Sequence, residues 1–316
     1  SVTRKRHFRK AAFSRGTRAS LGRLCCNRVK QLQGFSMKKS TLLATAVLAG
    51  AIAQPAFAQD SNPDYFNGVY VGGTLSVESI DDGKDEGLAF DTDGDGEYND
   101  VVRTITGADA FSPGLCNGRP NAGPATPTCS DDEQELGYAI KIGMDRRIGD
   151  MFVAGVVLEG SKSNATDYTT GFSTTPASYT IAREIDYAGA LRARLGISPG
   201  DGRGLLYATG GVTYGRIDHE FTTTNTANSF TPVNGDEWLW GAQYGAGAEI
   251  YLTDSISLNV EYLRTHFEKD DYYVVVGAGS APATNPFLLD SGETNLRSTG
   301  RQLEVNSFRA GLNFRF

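Results

Sequence analysis

Six residues, Asp91-Thr92-Asp93-Gly94-Asp95-Gly96, place carboxylates at alternate positions and then a glycine for a sharp turn. Asn99 and Asp100 follow and could add oxygens. Ca²⁺ takes roughly six to eight oxygen ligands, and an EF-hand-like loop supplies them from such spacing. The pattern departs from that loop at its twelfth position, Val102, where a bidentate Glu belongs, and no flanking helices are expected. Asp91, Asp93 and Asp95 are the first-choice ligands of a weak Ca²⁺ site of the extracellular kind, with a solvated acidic loop as the competing reading. No other cofactor is expected. Acid–base or nucleophilic chemistry has little to draw on. Beyond residue 58 the histidines are His219, at a loop edge between Asp218 and Glu220, and His266, beside Thr265 with no Ser adjacent. Neither Gly-x-Ser-x-Gly nor His-Glu-x-x-His occurs. Both histidines read as surface residues, and no enzyme activity is expected.

A second set of charges recurs with period two. Lys141, Asp145, Glu159, Asp186, Arg192, Arg194, Glu249, Glu261 and Arg309 fall on one parity of their segments, and apolar residues fall on the other. Period two means strands with one apolar and one polar face. The strands read as Phe66–Val77, Leu136–Arg147, Met151–Lys162, Glu184–Ile197, Gly204–Ile217, Trp238–Leu252, Ile256–Phe267 and a closing run Val305–Phe316. In the fourth, Ile185, Tyr187 and Leu191 share the apolar face. Three connections are tight turns: 148–150, 198–202 and 253–255. Four are long loops: 78–135, 163–183, 218–237 and 268–303. Short and long connections alternate strictly, as they do in outer-membrane barrels. The charged face would then line a lumen, either as a plug of ion pairs or as a polar conduction path. An eight-stranded bore is just wide enough for side chains to fill. Tyr138, Tyr187, Tyr214, Trp240 and Tyr262 near the loop ends, with Phe152, Phe314 and Phe316 near the turn ends, match the aromatic girdles at the two headgroup levels.

The ends of the chain agree with export. Residues 1–36 hold ten Lys or Arg and no acid. Met37-Lys38-Lys39, an apolar run Leu42–Ala53 and Ala56-Phe57-Ala58 then follow the order of a secretory signal. The expected organisation is an upstream extension at 1–36, a signal peptide at 37–58 cleaved after Ala58, and a barrel domain at 59–316. Twelve of the 30 Lys and Arg and none of the 37 acids lie in residues 1–58, so the mature chain carries 18 basic against 37 acidic groups, a net charge of −19. That balance excludes a nucleic-acid surface, which wants basic charge. Fifteen of the acids sit in the 78–135 loop, against Lys84, Arg103 and Arg119. Cys116 and Cys129 lie in the same loop and should pair in an oxidising compartment.

Several short pieces, in order, carry a family likeness: Tyr70-Val71-Gly72-Gly73, Leu191-Arg192-Ala193-Arg194-Leu195-Gly196, Tyr207-Ala208-Thr209-Gly210-Gly211, Val260-Glu261-Tyr262 and Phe308–Phe316. Residues 59–316 resemble the small outer-membrane barrels of the OmpA-type and opacity-like porin group of Gram-negative bacteria. The resemblance implies an all-β, eight-stranded, antiparallel up-and-down transmembrane barrel. Its role would be structural or surface-interacting in the envelope. A diffusion porin is the first alternative and a lipid-modifying enzyme the second. The terminal Phe316 resembles the signal read by the barrel-assembly machinery. Expected partners are that machinery, outer-membrane lipid and surface ligands reached through the loops. The long first loop with its cysteines departs from the common pattern, and no peptidoglycan-binding domain is expected after the barrel.

Overall fold

The computed structural model describes residues 65–80, 86–121, 123 and 126–316. The expected extension, signal peptide and cleavage site all lie outside these residues. In chain order the strands are β1 (Gly68–Ile80), β2 (Leu88–Asp91), β3 (Gly114–Asn117), β4 (Arg119–Pro120), β5 (Cys129–Ser130), β6 (Glu135–Ile148), β7 (Phe152–Lys162) and β8 (Thr166–Ser173). They continue with β9 (Ala177–Ile197), β10 (Gly204–Thr223), β11 (Ser229–Val233), β12 (Asp236–Tyr251), β13 (Ile256–Phe267), β14 (Tyr273–Gly277), β15 (Thr294–Ser298) and β16 (Glu304–Arg315). A 3₁₀ turn at Pro286–Leu288 is the only helical element among the described residues.

Strands β1, β6, β7, β9, β10, β12, β13 and β16 each pair antiparallel with the next, and β16 pairs with β1 to close an eight-stranded barrel. The faces are inverted relative to a soluble protein. Leu75 is 71% exposed and Leu195 67%, whereas Arg192 is 2% and Glu249 2% exposed. Only a hydrocarbon surround makes such a wall favourable, with polar groups satisfied inside. The tight turns are built as their residues require. Gly149 takes a left-handed φ of 63° between β6 and β7, where an L side chain is strained.

Two expectations fail at one place. The β9–β10 register slips between Arg216 and Ile217, leaving Asp186 as an extra residue on β9. A bulge reverses the alternation beyond it. Ile185, expected outside, is therefore buried at 6% exposure. Asp186, expected in the lumen, stands at the outer wall, paired with Lys162 at 2.9 Å and Arg216 at 3.4 Å.

The long connections are not open loops. Much of the 163–183 segment becomes β8 and the first part of β9, which pair as a hairpin beyond the barrel. Strands β11, β14, β15 and β2, from three different connections, form a four-stranded sheet. Beneath it lies a separate apolar core. It draws Leu88, Phe90 and Phe111 from the first connection, Tyr179 and Ile181 from the second, Phe221 and Phe230 from the third, and Val274, Phe287 and Leu296 from the fourth. This head was hidden from the sequence because polar residues and Gly dominate the segments, acids in the first and Ser, Thr and Asn in the second and third, and the apolar residues that pack are scattered among them.

Candidate functional site

The bore is filled in layers. Nearest the turns, Tyr65, Phe66, Val153, Leu205, Tyr207 and Tyr251 form an apolar layer. Phe66, expected to begin the first strand, instead holds a left-handed φ of 61° and is fully buried against Tyr251, ring centroids 4.9 Å apart. Such a conformation in a bulky residue is costly and persists only when packing enforces it.

Above this layer four charges close a ring. Arg194 pairs with Asp145 and, at 2.8 Å, with Glu249. Arg315 pairs with Asp145 at 2.7 Å and Glu249 at 3.2 Å. Ser257 Oγ donates to Glu249 Oε1 at 2.6 Å, and the Tyr70 ring lies under both guanidiniums. A second set continues toward the loop end. Arg192 reaches Glu159 at 2.8 Å and Glu261 at 3.5 Å, and Arg309 reaches Glu159 at 2.6 Å and Glu78 at 3.9 Å. Tyr207 donates its hydroxyl to Glu261 at 3.0 Å. Lys141 donates to Asn259 Oδ1 at 3.2 Å. Of the nine charges expected on the lumen face, eight line one bore: Lys141, Asp145, Glu159, Arg192, Arg194, Glu249, Glu261 and Arg309; Asp186 does not. Arg315 and Glu78 were missed. Arg315 lay on the polar parity of the closing run, and Glu78 read as the first loop residue when β1 in fact runs on to Ile80.

At the loop end Ile185, Ile217, Phe267, Leu303 and Val305 form a second apolar layer. Arg183 lies beyond it, bonded to Asp167 and to the Gly300 carbonyl, 3.4 Å from Asp270 and 3.6 Å from Glu86. His219 joins this knot. Its ring, expected on the surface, is fully enclosed, stacks on Tyr272 at 4.5 Å, and stands 3.6 Å from Asp270. Burial raises the Asp270 pKa, but His219 and Arg183 outweigh it and hold the carboxyl below its usual range. His266 remains part-exposed and bonds Glu304 through Nδ1 at 2.7 Å.

The acidic turn opens the head. Asp91, Asp93 and Asp100 bring one carboxylate oxygen each within 4.8 Å of one another, and Asp100 takes the place expected for Asp95. Asp95 instead caps its own turn, accepting from Glu97 N at 2.7 Å. The Asp91 carboxylate accepts from Gly94 N at 2.7 Å and Gly96 N at 3.2 Å. Cys116 and Cys129 are joined in a disulfide. Phe316 is exposed at the turn end, with its backbone N–H bonded to Val69 O at 3.0 Å.

The family model described as "Outer membrane protein beta-barrel domain" matches residues 44–316. The chain belongs to this outer-membrane β-barrel family. A 31 kDa outer-membrane immunogenic protein of Brucella melitensis is 28% identical over 133 residues, which is 42% of this chain and 47% of that protein. The chain thus spans about half the length of the curated relatives it matches. OprG from Pseudomonas aeruginosa aligns with 12% identity and a TM-score of 0.43, over 81% of this chain and 100% of that one. The attachment invasion locus protein Ail of Yersinia pestis aligns with 10% identity and a TM-score of 0.31, over 79% and 99%. As a member of the family, the protein resides in the outer membrane. Its tight turns then face the periplasm and its head the exterior.

Proposed function

We propose that the barrel is a closed anchor that presents the folded head at the cell surface for structural or binding roles. The observation that carries this reading is the packed bore, with two ion-paired charge sets held between two apolar layers. The head adds support, because a core fed by all four connections gives surface ligands a fixed shape to meet. A diffusion porin is the alternative, and it needs an open lane past both charge sets. Planar-bilayer conductance of the refolded protein separates the two readings. We propose further that the chain is not an enzyme. His219 is enclosed between Tyr272 and Asp270, and His266 is engaged by Glu304.

The acidic turn supports a second proposal, a Ca²⁺ site on Asp91, Asp93 and Asp100. Among the described residues no Lys or Arg forms an ion pair with these three carboxylates, so a divalent cation would relieve their repulsion. Calorimetric titration at millimolar Ca²⁺ should show binding that the Asp93→Ala, Asp100→Ala double variant loses. Binding that persists in that variant, or no binding to the parent protein, would remove the site.

Phe316 is proposed as part of the assembly signal. Its deletion removes the last aromatic ring at the periplasmic girdle and the Phe314–Phe316 edge contact at 5.4 Å. The yield of heat-modifiable barrel in outer membranes should fall several-fold. A yield equal to wild type would count against this role.

A further inference from the structure

A buried knot of charge joins the head to the barrel. Arg183 on β9 bonds Asp167 on β8 and the Gly300 carbonyl, and stands 3.4 Å from Asp270 and 3.6 Å from Glu86. One guanidinium thus ties the first, second and fourth connections together. The third contributes His219 on β10. Its backbone N–H donates to Gly235 O at 2.7 Å, which fixes the residue to the returning half of the same connection. The side chain is fully enclosed, with Nε2 3.6 Å from Asp270 Oδ2 and the ring stacked on Tyr272 at 4.5 Å.

A neutral ring leaves two features of this site unmatched. Neither Nδ1 nor Nε2 has a hydrogen-bond partner among the described residues, and buried polar atoms ordinarily have one. The charge of the knot is also unbalanced. Asp167, Asp270 and Glu86 set three carboxylates against the one guanidinium of Arg183, and each of these side chains is 12% exposed or less. That leaves an excess of two negative charges beside a neutral imidazole and of one beside an imidazolium. The remaining neighbours do not cancel the excess. Arg216 is occupied by Asp218 at 3.2 Å and Asp236 at 3.0 Å. Arg301 is occupied by Asp271 and the Asp270 carbonyl. Glu220, Glu268 and Lys269 are exposed. A cation over the face of a tyrosine ring, here Tyr272, is favourable in itself.

We propose that His219 is a proton-operated clasp: protonated, it pairs with Asp270 and draws the third connection onto the fourth, so the head stiffens in mildly acidic surroundings. The clasp lies outside the bore and acts whether or not the bore conducts. An imidazolium that gains a carboxylate partner on folding stabilises the fold at low pH, and that contribution is lost as rising pH removes the proton. Asp270 sets the acid limit. Burial pushes its carboxyl up, but His219 and Arg183 outweigh burial and hold it below its usual range. Its charge, and the stability that goes with it, is therefore lost only below the ordinary carboxylate range. The clasp is closed between the ordinary carboxylate and imidazole ranges, about pH 4 to 6.5. Asp218, pushed up to about 6 by its hydrogen bond with Asp236, titrates in the same interval and needs its own control.

Hydrogen exchange of the refolded protein in detergent, corrected for the intrinsic rate at each pH, reads the clasp. The reporters are the amides of β11 and β14, the paired strands of the third and fourth connections. Their protection should rise several-fold between about pH 8 and about pH 5.5, the interval over which an imidazole gains its proton. His219→Gln, polar and similar in size but without a titrating proton, should abolish the rise. Asp270→Asn should abolish it too. His266→Asn and Asp218→Asn, which leave the clasp intact, should keep it. Wild-type protection that stays flat or falls on acidification overturns the proposal with no variant needed. A rise that survives in His219→Gln, or one that disappears in Asp218→Asn or His266→Asn, overturns it as well.

Discussion

Replacing Arg194 with alanine should cause the largest loss of barrel stability of any single lumen change. Arg194 contributes two of the four links in the ring it forms with Asp145, Glu249 and Arg315. Asp145 and Glu249 are each 2% exposed. Without Arg194 both carboxylates depend on Arg315 alone, in a bore closed by aromatic side chains. Breaking a buried pair by removing one partner costs about 3–5 kcal/mol, because the remaining charge is left uncompensated. The guanidinium also covers the Tyr70 and Tyr207 rings, with its carbon 4.9 Å and 5.0 Å from their centroids, so Arg194→Lys should recover only part of the loss. Urea unfolding in detergent or lipid vesicles, followed by tryptophan emission, measures both variants. A midpoint unchanged in Arg194→Ala would mean that the ring is not a structural element.

The second large effect belongs to the head. Phe111 lies between Phe90 at 4.5 Å, Tyr179 at 5.2 Å and Phe287 at 5.8 Å. It is 6% exposed and joins residues from three connections in one core. Phe→Ala in a packed core costs about 3–5 kcal/mol. The core is small and outside the membrane, so this loss should loosen the head and leave the barrel intact. Limited proteolysis of whole cells should then cut Phe111→Ala within the first or fourth connection under conditions that spare the wild type. The heat-modifiable barrel band should be unchanged. Equal resistance of both proteins would show that the connections are not held by this core.

The barrel was legible because the membrane imposes a simple code. Every spanning strand needs apolar residues on one parity, and Ile140, Ile142 and Met144 or Phe308, Leu312 and Phe314 show it plainly. The lumen charges followed from the same code, since Arg192 and Arg194 stand two apart on β9 and must share a face. Where the pattern broke, the reading broke with it. The bulge at Asp186 shifts the parity by one, and nothing in Glu184-Ile185-Asp186-Tyr187 announces it. The pairing of Arg315 with Asp145 and Glu249 depends on stagger around the ring, which a single strand does not encode. In the head, Asp100 replaced Asp95 because the β-bridge between Phe90 and Asp100 folds the loop back on itself. His219 looked exposed between two acids, but Tyr272, 53 positions further along the chain, covers it.

The proposed anchoring role requires a closed bore. Conductance of the refolded wild-type protein in planar bilayers, with insertion verified independently by heat modifiability in the same lipid, tests it most directly. With a closed bore, most verified insertions give no stable unitary step in molar potassium chloride. Reproducible steps of one size in most insertions would contradict it and make the protein a diffusion pore.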